Sequence, residues 1–266
     1  MKLENKIAVV TGGGRGIGRA ICLAFAREGA DIVVAANVLE DVNKVSGEIE
    51  GLGRKSLPFV LDVTKPDQIQ ALVDKTIDTF GKVDILVNSA GIVGQRSFIF
   101  NSDDENWRKI IEINLFGTYY CMKAFLPKIM DQQAGRIINL GSIAGKQASP
   151  TNTAYAASKH GVIGITRSVA AEVALLGLVD ITVNAICPGI VETTMVTGDG
   201  GVLDELGRLT GKTKDAVLQE HILPMSLQKR MQAPEEIADM AVYLASDSAR
   251  SITGQAINVD SGTIFY

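Results

Sequence analysis

Short runs of β-branched and other apolar residues alternate along the chain with longer stretches in which apolar positions recur three and four apart. The runs cover residues 7–10, 32–34, 57–61, 83–87, 136–140, 181–186 and 256–259. A run that is apolar throughout suits a strand covered on both faces, as in a parallel sheet. The stretches between predict helices near 16–28, 39–51, 66–80, 103–130, 153–176 and 234–246. This alternation predicts an α/β fold with a doubly wound, mostly parallel seven-stranded sheet, Rossmann-like, with helices on both faces. No break in composition marks a second domain, so residues 1–266 read as one. One segment departs from the rhythm. Residues 193–227 carry five glycines among mixed charges and are too long for a simple connection. They predict a partly helical insertion, read either as a surface loop or, functionally, as a substrate lid at the carboxyl edge of the sheet, where doubly wound folds bind ligands.

Composition narrows the function classes. The 266 residues are 46% hydrophobic and 21% charged, which excludes a wholly disordered chain. Net charge is −4, so there is no electrostatic footprint for nucleic acid or an anionic membrane. Cys22, Cys121 and Cys187 are far apart, with no CxxC, which argues against a disulfide framework or a zinc ribbon. The charged start shows no signal peptide, and the longest nearly uncharged stretch, 168–179, is too short to span a bilayer. A soluble, cytoplasmic protein is the expectation.

The first strand leads into Thr11-Gly-Gly-Gly-Arg-Gly-Ile-Gly18 and then a helix. Glycines let a backbone approach a pyrophosphate, and the helix start offers free N–H groups with a partial positive charge. A P-loop is excluded because no Gly-Lys-Ser/Thr follows. Further along stand Asn88-Ser-Ala-Gly91 after the fourth strand, Asn114 in the next long helix, Ser142 after the fifth strand and Tyr155-Ala-Ala-Ser-Lys159. Pro188-Gly189 and Thr193 follow the sixth strand, and residues 252–262 form the last-strand segment. In this order the motifs resemble the short-chain dehydrogenase/reductase family, in its compact single-domain branch, over nearly the whole chain. Ser89 stands where the family more often has a second Asn.

The resemblance implies an oxidoreductase that passes a hydride between NAD(P) and a secondary alcohol or ketone. It implies dinucleotide contacts from Gly12, Arg15, Gly16, Ile17 and Gly18 in the turn and from Asn37 after the second strand. Further contacts are implied for Asp62, Val63, Asn88, Ala90, Gly91, Tyr155, Lys159, Pro188, Gly189 and Thr193. Asn114, Ser142, Tyr155 and Lys159 would form the catalytic set, with Asn114 maintaining a water-linked proton path to Lys159.

The residue chemistry supports that set. Tyr155 and Lys159 are four apart on a predicted helix and so share a face. A free tyrosine titrates near pH 10, and lowering it by ~3 units takes ~4 kcal/mol of phenolate stabilisation. One ammonium at ~5 Å and an effective dielectric of ~20 supplies ~3 kcal/mol. Lys159 is therefore expected to lower the Tyr155 pKa. Ser142 would hold the substrate oxygen.

Coenzyme choice rests on the end of the second strand. Ala36 stands where NAD-preferring relatives carry an acid, and Asn37 follows. With no carboxylate there and Arg15 in the turn, NADP is favoured, with NAD as the alternative. Around Ser142 and Tyr155, Gln147 and Met195 are candidate substrate contacts on position alone. Residues 193–227 hold no aromatic residue and many polar ones, which points to a small polar substrate such as a sugar, polyol or hydroxy acid derivative. The helix at 153–176 is apolar on several faces and, with the family's habits, implies a homotetramer. The rival reading is a catalytically silent dinucleotide sensor, which would have no need of Tyr155 and Lys159.

Overall fold

The computed structural model describes residues 1–266. Seven strands form one parallel sheet in the order β3-β2-β1-β4-β5-β6-β7. They are β1 (Ile7–Thr11), β2 (Asp31–Ala36), β3 (Ser56–Val60), β4 (Ile85–Asn88), β5 (Ala134–Leu140), β6 (Asp180–Pro188) and β7 (Ala256–Val259). The fourth strand begins later than its apolar run predicts. Val83 is buried, but Asp84 breaks the run by turning its carboxylate back to accept the Ile7 N–H at 2.8 Å. β3 tolerates Pro58 because it is an edge strand, where a missing N–H removes no necessary ladder bond.

Helices cover both faces. On one lie α1 (Gly16–Arg27), α2 (Leu39–Gly51) and α10 (Pro234–Ala245), whose Phe25, Ile21, Val45 and Leu244 join a core with β1 and β2. On the other lie α3 (Pro66–Phe80), α5 (Gly117–Met130) and α6 (Thr153–Leu175), built around Leu72, Phe125, Ile129 and Val173. Each fully buried Phe contributes about 3 kcal/mol by leaving water. The long helix read at 103–130 is α4 (Asp104–Ile111), a single π-helical turn (Glu112–Phe116) and α5 in succession. Such turns gather at functional sites, and this one holds Asn114.

After β6 the chain forms α7 (Thr194–Thr197), α8 (Val202–Thr210) and α9 (Lys214–Val217), the last running on through a π turn to Ile222. Their buried Val196, Val202, Leu203, Val217 and Ile222 make a small core of their own with Val93 from the loop after β4. Tyr155 packs against that cluster, so this helical segment lies over the carboxyl ends of the central strands. No helix is long and apolar enough to cross a membrane.

Candidate active site

Strand order places the site. β1 pairs with β2 on one side and β4 on the other, so the connections leaving β1 diverge there and open a crevice. Thr11 and Asn88 are register partners, which brings the glycine turn against the loop after β4. Gly12 has φ +65°, and a Cβ there would lie 2.7 Å from the Ala90 nitrogen. A side chain at Gly18 would run into the Gly12 carbonyl, so α1 and the turn meet as bare backbone. The N–H groups of residues 14 to 18 donate to no carbonyl or side chain, and the Arg15 N-cap supplies no capping bond. A row of unpaired donors at a helix start, beside backbone no side chain obstructs, fits a pyrophosphate. Across the crevice, Thr193 Cγ2 lies 3.1 Å from where a Gly16 Cβ would be.

Of the other residues implied to touch a dinucleotide, several are held by the protein itself. Asn88 turns its amide inward and donates to Asn139 Oδ1 at 2.8 Å, leaving its own Oδ1 buried without a partner. Asp62 accepts from the Thr64 N–H at 2.9 Å and from the Thr64 hydroxyl at 2.8 Å. Val63 is buried against Gly117 at the start of α5. Gly189, just past Pro188, donates to the Val259 carbonyl and to Gln232 Oε1, both at 3.1 Å. Its bare α-carbon leaves room for Asp260.

The end of β2 carries no acid, as the sequence reads, but a group that reading did not weigh lies close by: Asp41, in the first turn of α2, reaches back and pairs with the Arg15 Nε. Gly14 makes this possible: a Cβ there would lie 2.8 Å from Asp41 Cβ and 3.4 Å from Ala36 Cβ. This carboxylate comes from the helix, five residues beyond Ala36.

Tyr155 lies in the first turn of α6, with Lys159 one turn later. Ser142 ends the β5 connection in extended backbone, and its Oγ accepts from the Ala144 N–H at 3.1 Å, capping a short helical turn. It also faces Tyr155, whose phenol its hydroxyl pulls toward ionisation. Lys159 is buried, donates to the Leu140 carbonyl at 2.6 Å and lies 5.6 Å from the centre of the Tyr155 ring.

The electrostatics differ from the expectation that Lys159 lowers the Tyr155 pKa. Burial dominates and raises the phenol; Ser142 and Arg96 pull it back down. Lys159 is itself depressed by burial, to about 8. A shared low-dielectric site disfavours both charged forms, and so works against the stabilisation an exposed ammonium would give.

Asn114 acts through the loop after β4. Its Oδ1 accepts the Ile92 N–H at 2.8 Å, and its Nδ2 donates to the Ile92 carbonyl at 2.9 Å and to Ser158 Oγ at 3.1 Å. The side-chain amide thus pairs with Ile92 as a neighbouring strand would. A Cβ at Gly91 would sit 3.2 Å from Asn114 Oδ1 and 3.7 Å from Lys159 Nζ, so those groups converge on bare glycine. Gln147 lies in the loop between the serine turn and α6. Met195 is half-exposed on α7; its neighbour Val196 is the α7 residue that joins the cluster around Tyr155. Sequence reasoning also missed Val93 and Arg96, which bear no motif and reach the site only by loop geometry.

A family model described as short chain dehydrogenase matches residues 6–200. The chain belongs to the short-chain dehydrogenase/reductase family. It is 36% identical over 264 residues to the 3-oxoacyl-[acyl-carrier-protein] reductase FabG of Thermotoga maritima, covering 99% of this chain and all of that protein. It is 37% identical over 263 residues to D-beta-hydroxybutyrate dehydrogenase of Rhizobium meliloti, covering 97% of this chain and 98% of the other. The solved structure of levodione reductase superposes with a TM-score of 0.89 at 28% identity, covering 97% of each chain. Like other short-chain dehydrogenases/reductases, this one is an NAD(P)-dependent oxidoreductase acting on an alcohol or its ketone.

Proposed function

We propose that Tyr155 is the general acid/base of this oxidoreductase, that Ser142 holds the substrate oxygen, and that Lys159 binds the nicotinamide ribose. The observation that carries this reading is convergence. Ser142, Tyr155 and Lys159 meet beside a turn whose five consecutive amides are unpaired. The bound dinucleotide supplies or accepts the hydride. In the reducing direction Tyr155 gives its phenolic proton to the carbonyl oxygen, while the Ser142 hydroxyl donates to the same oxygen. In the oxidising direction Tyr155 takes the alcohol proton. Because burial keeps Tyr155 protonated, its resting form is the acid that reduction needs. Asn114 is a positioning residue: it fixes the loop over Lys159, next to which a water-linked proton path would run.

The glycine turn, Asn37, Asp62, Val63, the 88–91 loop and residues 188–193 would cradle the dinucleotide. Arg15 attracts a 2′-phosphate, which supports NADP; its pairing with Asp41 supports NAD, and we infer that NAD is the better fit in the wild-type chain. Residues 193–227 would act as the substrate lid. A small polar substrate suits this site, and the relatives' names, which include a hydroxybutyrate and a hydroxysteroid dehydrogenase, do not narrow it further. The exposed Phe116 and Tyr119 beside the π turn and Leu175 and Leu176 at the end of α6 support a homotetramer, to be read by light scattering.

The test is nicotinamide absorbance over a panel of hydroxy acids, polyols, sugars and hydroxysteroids with both coenzymes. Turnover that Tyr155→Phe loses by a thousandfold or more, with coenzyme binding retained, is the expected result. Equal turnover in the variant would overturn the assignment.

A further inference from the structure

One charge near Tyr155 has no salt-bridge partner of its own. Arg96, in the loop after β4, is only 9% exposed. Its Nε donates to Thr151 Oγ1 at 3.3 Å and its Nη2 to the Pro150 carbonyl at 3.1 Å, both in the loop that leads into Tyr155. The third guanidinium nitrogen, Nη1, meets no protein acceptor and is not sealed from solvent. It forms no salt bridge. Glu205 on α8 is close, but it accepts the Arg96 backbone N–H at 2.9 Å and pairs with Arg208, also at 2.9 Å. Arg208 in turn donates to the Arg96 carbonyl at 2.6 Å. These ties grip the backbone of Arg96 and aim its side chain. None of them is a salt bridge to its guanidinium, and Glu205, the carboxylate nearby, is shared with Arg208.

A nearly buried guanidinium held by neutral acceptors is costly unless something else supplies the negative charge. The Arg96 side chain holds Pro150 and Thr151 in the segment just before Tyr155, and Val93 of its own loop packs with Tyr155, so the cation lies close enough for its field to act on the phenol. Val93, Val196 and Leu203 cluster with Tyr155, so the surroundings of the phenol are apolar. The loop after β4 and the start of α6 therefore bring together a proton donor, a guanidinium whose Nη1 has no protein acceptor, and hydrocarbon beside them. A guanidinium pairs a carboxylate in plane through two parallel N–H bonds. One cation balances one carboxylate; a phosphate dianion would leave a net negative charge near Glu205.

We propose that Arg96 anchors a carboxylate of the substrate, so that this enzyme works on oxo acids and the corresponding hydroxy acids. This rests on the reading of Tyr155 as the acid/base, and it defines what the site takes beyond a generic ketone.

The test compares pyruvate, acetoacetate and levulinate with their methyl esters, which remove only the charge, using the holoenzyme and both reduced coenzymes. The wild type is expected to favour at least one acid over its ester by about thirtyfold or more in kcat/KM. Arg96→Gln should cut that preference at least tenfold, mainly through KM, and Arg96→Lys should restore part of it. Calorimetry on the Tyr155→Phe holoenzyme reads the same preference as binding of acetoacetate against methyl acetoacetate, without turnover. If Arg96→Gln weakens acid and ester equally, or the wild type prefers the esters, Arg96 is only a tie between loops and the proposal is overturned. If nothing turns over but acetoacetate binding still depends on Arg96, the anchor stands and the acid/base reading of Tyr155 is what fails.

Discussion

Replacing Asp41 by Asn tests how this chain chooses its coenzyme. Asp41 touches Arg15 through Nε alone, in a pair whose side chains are 21% and 63% exposed. Such exposed pairs contribute less than ~1 kcal/mol to folding, so Asp41→Asn should leave the melting temperature within a few degrees. Its effect on a 2′-phosphate is larger. The substitution removes a carboxylate that repels the phosphate and frees the guanidinium to bond it. One charge-assisted hydrogen bond is worth about 1.5 kcal/mol or more, which corresponds to about a tenfold change in affinity. Fluorescence titration of the unliganded enzyme with NADPH and NADH reads this directly. NADPH binding should tighten about tenfold in Asp41→Asn while NADH binding changes less than twofold. The gain should shrink in 0.5 M salt, where the screening length is a few ångströms, and vanish in the Arg15→Ala background. A NADPH-to-NADH ratio that moves less than threefold, or moves equally without Arg15, refutes the reasoning.

Three further outcomes follow from the geometry. Gly12→Ala forces a left-handed backbone on Ala and pushes a Cβ to within 2.7–2.9 Å of the Ser89–Ala90 backbone, which cannot step aside. It should cost about 2 kcal/mol or more in urea unfolding and abolish coenzyme binding; near-wild-type stability would contradict the close approach. Asn114→Ala strips partners from both Ile92 groups and from Ser158. A loss of about 2 kcal/mol is expected in urea unfolding, together with faster amide exchange at Ile92; protection equal to wild type would show that Asn114 does not hold the loop. For Lys159, burial lowers the folded-state value from 10.5 to about 8. Between those values the unfolded chain binds more protons, so this residue makes stability rise with pH across that window, by about 3 kcal/mol in full. The unfolding free energy of wild type minus that of Lys159→Met should therefore climb from pH 8 to pH 10. A flat or falling difference would mean that Lys159 is not desolvated.

Local pattern carried much of this protein's description. The β-branched runs and the three-to-four spacing marked the seven strands and the main helices, because burial on a regular element leaves a periodic trace in sequence. The glycine turn was legible because phosphate chemistry needs bare backbone at a helix start. Tyr155 and Lys159 were legible because a helix puts residues four apart on one face. The boundaries were less so: Val83 is apolar for the core, yet Asp84 ends the run by bonding across to Ile7.

Tertiary structure decided the long-range contacts and the charge states of the site. Asp41 meets Arg15 from 26 residues away, Arg96 is aimed by Thr151 from 55 away, and Asn114 grips Ile92 from 22 away. Nothing periodic links such pairs; they follow from strand order, from helix direction and from the path of loops. The same holds for the charge states. On the sequence alone Lys159 stands as a cation that ionises its neighbour, but once Tyr155 packs against the cluster around Val93 and Leu203 and Lys159 is buried at the end of β5, desolvation acts on both alike. Dielectric environment depends on what surrounds a group in three dimensions, and a linear pattern does not contain it.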